Sequence, residues 1–177
     1  MVGLQEQTTV NSKMVQETFW KNLQQFKFDL CYYCCHYQRC ITVTRLIKYV
    51  VAGLTTASTL VWMECAEISS VTTICSFVII ALQVFNAVSD LFPFTNRKDE
   101  LRDLANDLDP LYIEMESTWR KIANGEYTVS EISQMIDEYA SKQLQIQKNY
   151  LKNDFLKDHK RIVAKAEKQT QEYFENF

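Results

Sequence analysis

The chain has 177 residues, a formal net charge of −3 from 19 Lys plus Arg against 22 Asp plus Glu, and only 3 Gly and 2 Pro beside 6 Cys. So few turn-forming residues exclude sandwiches, barrels and doubly wound sheets, which draw on Gly and Pro at their connections, and leave an all-α chain of long helices. The slight acidity excludes the basic stripe of a nucleic-acid-binding domain, and cysteines so unevenly placed do not make a secreted disulfide scaffold.

Residues 1–40 hold no apolar core behind a basic start, so no signal peptide is expected. Phe19, Leu23, Phe26, Leu30, Cys34 and Tyr37 recur at steps of three and four, which predicts an amphipathic cytoplasmic helix from about Lys13 onward. Its last turns are CYYCCHYQRC, Cys31 to Cys40. A tetrahedral zinc site draws paired ligands from separate elements. No second CxxC or HxxxH is present, so zinc would need ligands from another protomer. On a helix His36 is turned about 100° from Cys35. Disulfides do not suit a reducing compartment, and S-acylation of a juxtamembrane cysteine is the remaining covalent alternative. The plainest reading is cysteine as a small apolar residue beside interfacial Tyr32, Tyr33 and Tyr37.

The mean hydropathy of −0.22 conceals an apolar centre, residues 41–92. ISSVTTICSFVIIALQVFNAV, Ile68 to Val88, contains no charge. At 1.5 Å per residue about 20 residues cross a hydrocarbon core of roughly 30 Å, so this stretch is a predicted transmembrane helix. YVVAGLTTASTLVWM, Tyr49 to Met63, reaches that length when extended back to Ile41. The extension takes in Arg45 and Lys48, whose long side chains can snorkel to the headgroups. Only Glu64 to Glu67 separates the two, which predicts a tight two-helix hairpin. Arg39, Arg45 and Lys48 precede it and Arg97, Lys98 and Arg102 follow it, while its turn has no basic residue. By the positive-inside rule both termini face the cytoplasm. Trp62, Phe92 and Phe94 stand where interfacial aromatics are expected. The alternative is a hairpin buried in the heart of a soluble helical bundle.

Residues 93–177 read as cytoplasmic helices. Pro93 ends the second span, and Thr95 or Asn96 can cap the next helix. That helix has an apolar stripe of Leu101, Leu104, Leu108, Met115, Trp119 and Ile122, which Pro110 is expected to kink or break. Gly125 is placed to end it in a left-handed conformation. Thr128 to Glu131 forms a capping box opening a helix with Ile132, Met135, Ile136 and Tyr139 on its inner face. Phe155, Leu156, Ile162, Val163 and Ala166 continue helically toward the aromatic EYFENF.

Motifs that carry catalysis are missing. Glycines at 3, 53 and 125 cannot build a phosphate loop, and His36 and His159 stand in different segments without a nucleophile motif. Neither an enzyme activity nor a cofactor or metal is expected. The polar residues of the hairpin carry more information. Thr44, Lys48, Thr55 and Thr59 share a face of the first span. Ser69, Thr72, Ser76, Gln83 and Asp90 share one of the second, with Asn86 at its edge. Polar groups at membrane depth turn from lipid toward another helix or water. Such seams serve either as hydrogen-bonded packing between helices or protomers, or as the lining of a pore built from several hairpins.

The order of parts, with LFPFTNRKDELRDLANDLDPLYIEMESTWRKIANGEYTVSEI after the hairpin, resembles the SLATT family, the SMODS and SLOG-associating two-transmembrane effector domains. The resemblance rests on Phe92, Pro93, Phe94 and Arg97, the Leu101, Leu104, Leu108 stripe, Trp119 with Arg120 and Lys121, and GEYTVSEI. It implies a bacterial inner-membrane effector of conflict systems that oligomerises and forms a pore. The implied partners are the lipid bilayer, further copies of the chain, and a cyclic-nucleotide synthase or nucleotide-sensing protein. The alternative is a membrane-anchored interaction module whose hairpin is only an anchor.

Overall fold

A computed structural model of the chain describes residues 2–64, 69–88, 93–151, 156 and 159–177, with side chains described for these except 2–10, 58, 60–64, 69–72, 75, 85–88 and 93–96. The described residues form α1 (Val2–Glu64), α2 (Ser69–Val88), α3 (Pro93–Ala123), α4 (Val129–Leu151) and α5 (Lys160–Glu175). No strand occurs among them, and the all-α fold stands. The helices fall into two units, residues 1–36 with 100–177, and residues 37–99.

The first unit is a four-helix bundle. Phe19 stacks on Trp119 and Phe26 meets Tyr112 edge-on, with centroids 6.1 and 5.9 Å apart. Rising numbers in α1 therefore meet falling numbers in α3, and the two run antiparallel. Tyr139 of α4 packs its ring on Phe19 at 6.2 Å, and Gln143 reaches Asp29, so α4 runs with α1. Phe174 of α5 meets Trp20 at 5.1 Å, and the His159 ring lies 6.2 Å from that of His36, so α5 runs against α1. The result is an up-down-up-down arrangement in which α4 and α5 flank the α1–α3 pair.

Its core follows a heptad. Phe19, Leu23, Phe26, Leu30 and Tyr33 are buried at steps of four, three, four and three, and Leu101, Leu104, Leu108, Leu111 and Met115 alternate likewise on α3. A repeat of 3.5 residues keeps one seam facing the partner helix, whereas the 3.6 residues of a straight helix drift by about 20° per heptad. That difference corrects the predicted stripe. Cys34 is exposed, and Tyr33, Cys35 and His36 are buried in its place. Each fully buried Leu or Phe stabilises the bundle by roughly 1.5–3 kcal/mol.

Local signals set the ends. The helix expected from about Lys13 begins at Val2. Helix α3 begins at Pro93 itself, so Thr95 and Asn96 lie in its first turn and are not caps; proline suits the first helical position because its missing N–H would be unpaired there. Pro110 does not start a new helix. Helix α3 continues through it, and Asn106 and Pro110 are exposed, where water can take the carbonyl the proline leaves without a donor. Gly125 closes α3 at φ 78°. Its N–H donates to the Ile122 carbonyl at 2.9 Å and that of Glu126 to the Lys121 carbonyl at 3.1 Å, the paired bonds of a Schellman end. The capping box forms as expected: the Thr128 N–H donates to Glu131 Oε2 at 2.7 Å and the Glu131 N–H to Thr128 Oγ1 at 3.4 Å. The Thr128 N–H and, second, the Thr128 hydroxyl, which donates to the same Oε2 at 2.8 Å, hold the Glu131 carboxyl below its usual range. Ile132 and Tyr139 are buried, with Met135 and Ile136 half-buried beside them.

The second unit contains α1 from Tyr37 onward, α2 and the first residues of α3. The predicted turn at Cys65 to Glu67 lies outside the described residues, as do Phe92 and Phe155. The side chains of Trp62 and Phe94 also lie outside them.

Candidate functional site

The two units treat their apolar residues in opposite ways. In the bundle the large hydrophobics of the α1 and α3 seams, Phe19, Leu23, Phe26, Leu101, Leu104 and Leu108 among them, are buried, while Met14, Ile113, Leu144 and Phe177 are exposed. In the second unit Leu46, Tyr49, Val50 and Leu54 of α1, and Ile74, Phe77, Ile80 and Val84 of α2, are exposed, Tyr49 to 74% and Phe77 to 70%. In water each such side chain forgoes roughly 1.5–3 kcal/mol of burial, and a soluble monomer rarely leaves so continuous an apolar surface. Among the described residues, one helix is long and apolar enough to cross a bilayer. It is α1, over Asn11–Ala57, and only 6% of its most apolar stretch is buried. The core helix of a soluble protein would be mostly buried. Helix α2 has 20 residues, the length of one bilayer crossing.

The polar seam divides on this surface. Thr44 and Thr55 are half-buried and share a stripe with half-buried Ile47 and buried Val51, whereas Lys48 and Thr59 are exposed. On α2, Ser76 and Gln83 are exposed, about one turn before and after half-buried Ile79. The side chains of Ser69, Thr72 and Asn86 lie outside the described residues, and so does Asp90. The threonines bond within their own helix. Thr44 Oγ1 donates to the Cys40 carbonyl, Thr55 Oγ1 to that of Val51 and Thr59 Oγ1 to that of Thr55, each at 2.8 Å. Thr42 and Thr56 do the same. This back-bonding to residue i−4 satisfies both the hydroxyl proton and a helix carbonyl without water.

At the end of the bundle where α1 leaves it, Cys35 is buried and its Sγ–H donates to Gln169 Oε1 at 3.3 Å. Burial pushes its thiol above the ordinary range, so the nucleophilic thiolate is scarce. Cys31, Cys34, Cys35 and Cys40 are free thiols. Among the described residues no group of three or more His, Cys, Asp or Glu converges as a metal site.

Three arrangements in the bundle have no counterpart in the sequence patterns. His36 and His159, distant in the chain, meet at this end, and Tyr32 stands 4.6 Å from the His36 ring. Lys27 places its Nζ 3.8 Å from the Tyr173 ring and 4.6 Å from that of Tyr112, a cation held between π-faces. The Tyr173 hydroxyl in turn donates to Glu116 Oε2 at 2.6 Å. Asp29 accepts from Gln25 Nε2 at 2.8 Å and from Gln143 Nε2 at 2.9 Å, tying α1 to α4. Burial holds its carboxyl above the usual carboxylate range against both amides. Neighbouring Tyr33 is pushed up to about 12, by burial first and by Asp29 second. Tertiary packing brings His159, Tyr112, Tyr173 and Gln143 to these α1 residues.

Comparison with known proteins finds no matching family model, no matching curated protein and no matching solved structure.

Proposed function

We propose that the chain is a small effector of the inner, cytoplasmic membrane. It spans the bilayer as a two-helix hairpin, with both termini and the bundle in the cytoplasm. Copies of it assemble and open a pore, or otherwise breach the bilayer, on a signal from a partner protein or a nucleotide. The observation that carries this reading is the unburied apolar surface on α1 and α2 beside a bundle that buries its own core, a contrast that lipid removes and water does not. The resemblance to SLATT effectors supports the setting, a bacterial anti-phage conflict system, and a non-enzymatic role. A resting state closed until the signal arrives is implied, because an effector always open would kill its host. Two packings of the same helices differing by a few kcal/mol are enough for such a switch.

A second reading is a membrane anchor whose bundle recruits another protein. The threonine hydroxyls closed on their own helix favour it, since a bare anchor needs nothing more to be stable in lipid. The two readings part at the seam. Induced expression with a membrane-potential dye is expected to depolarise cells once the trigger is supplied. Gln83→Leu with Asn86→Leu is expected to abolish depolarisation while the chain still resists alkaline extraction from membranes. Depolarisation unchanged in the double variant would refute the pore and leave the anchor.

A further inference from the structure

Helix α5 carries its charge in two blocks. Lys160, Arg161, Lys165 and Lys168 fall in its first nine residues with Glu167 the single acid, and Glu172 and Glu175 close it. All four cationic residues are exposed. At 100° per residue they span an arc of about 140°, turned away from buried Ile162 and Ala166. Lys168 pairs with Glu172 at 3.6 Å, and Lys160, Arg161 and Lys165 form no ion pair among the described residues. Just before the helix, Lys152, Asp154, Lys157 and Asp158 cancel in formal charge.

Helix stability does not account for this placement. Cations in a first turn face the positive end of the helix dipole and weaken the helix. Helix α5 has no acidic residue there to offset them, and its N-cap residue His159 makes no side-chain cap. The bundle also fixes where the block lies. His159 meets His36, and Lys165 is near enough to Cys35 to favour its thiolate. The basic half of α5 is therefore at the end of the bundle where α1 leaves it, five residues before Ile41, where the proposed first span begins.

We propose that this face of α5 docks on the anionic phospholipid headgroups of the cytoplasmic leaflet. The occupant follows from charge: three cations without an ion-pair partner among the described residues, on one solvent face, on the helix end beside the chain's route to the bilayer. The inference rests on the membrane reading above. Docking holds the bundle against the leaflet, and a signal that releases α5 changes the load on α1. Near an anionic surface each Lys or Arg contributes roughly a fivefold factor to binding, so three give about a hundredfold, screened when salt shortens the Debye length from about 10 Å at 0.1 M to 3 Å at 1 M.

The test uses the full chain reconstituted in vesicles of phosphatidylcholine, with or without about a third phosphatidylglycerol, followed by amide hydrogen exchange. Residues 160–168 are expected to exchange at least tenfold more slowly in the anionic vesicles. The protection is expected to vanish at 1 M salt and in the Lys160→Gln, Arg161→Gln, Lys165→Gln variant, with exchange at the Thr128 capping box unchanged as a control for folding. Equal exchange in the two lipids would overturn the proposal, and so would equal protection by inorganic phosphate over neutral vesicles, which would make α5 a soluble-anion site. Extraction of the chain from both vesicles by alkaline carbonate would overturn the membrane reading itself, and the docking with it. Retention without lipid-dependent protection would overturn the docking alone.

Discussion

Replacing Gly125 by alanine isolates one backbone term. The residue sits at φ 78°, where an L side chain costs roughly 1–2 kcal/mol through contact of Cβ with the following carbonyl. Beyond the adjoining residues an added Cβ would meet no described atom within 4 Å, so no tertiary packing gain or clash enters. Alanine also stiffens the unfolded chain, which returns about 0.4–1 kcal/mol. The net expectation is a loss of about 1 kcal/mol, or a fall in Tm of about 4–8 °C for a domain of roughly 100 residues. Near-ultraviolet circular dichroism of the full chain in mild detergent reads this transition, because Trp20 and Trp119 pack 5.0 Å apart inside the bundle. Gly125→Asn should fall between wild type and alanine, since asparagine tolerates the left-handed region better. A Tm unchanged by alanine, or asparagine more damaging than alanine, would refute the left-handed end and the two bonds it carries.

Two further outcomes are expected. Leu104 is fully buried and Ile113 is 58% exposed on the same helix. Leu104→Ala should cost about 2–5 kcal/mol by denaturant titration, while Ile113→Ala should stay within about 0.5 kcal/mol; equal costs would mean the heptad is misassigned. For Asp29, a carboxyl raised in the folded state binds protons more tightly there than in the unfolded chain. Stability therefore falls as pH rises from about 4, the unfolded value, through the folded-state pKa, and the penalty is complete above it. Asp29→Asn should flatten that slope between melts taken from pH 4 to 7. An unaltered slope would assign the titration to another group.

The parts of the fold written as local chemistry were legible in the residues. Thr128 and Glu131 specify a helix start by spacing alone, and Gly125 a helix end, because both act within one turn. The apolar stripes named the core of α3, since Leu101, Leu104, Leu108, Met115 and Ile122 are all buried. Reading failed where the neighbour decides. A 3.6-residue step carried the α1 stripe onto Cys34, whereas a partner helix holds the seam at 3.5 and buries Tyr33. Trp20, one position off the stripe, was passed over, yet it contacts Trp119, Phe174 and Phe177. The meeting of His36 with His159 and the tether of Asp29 to Gln143 depend on which helix lies beside which. No single-segment pattern encodes that.

A threonine that gives its proton to its own backbone keeps its oxygen lone pairs for the outside. A hydroxyl has one hydrogen to donate and two places to accept, and along α1 the hydrogens of Thr44, Thr55 and Thr59 are all committed inward. Toward a neighbour these positions are one-sided: a small electronegative atom beside a methyl group, able to receive and unable to give. A polar group that bonds to them must bring the hydrogen or the positive charge. Another threonine of the same kind does not complete the contact. An amide N–H of a side chain such as Gln83, a water molecule or a desolvated cation does.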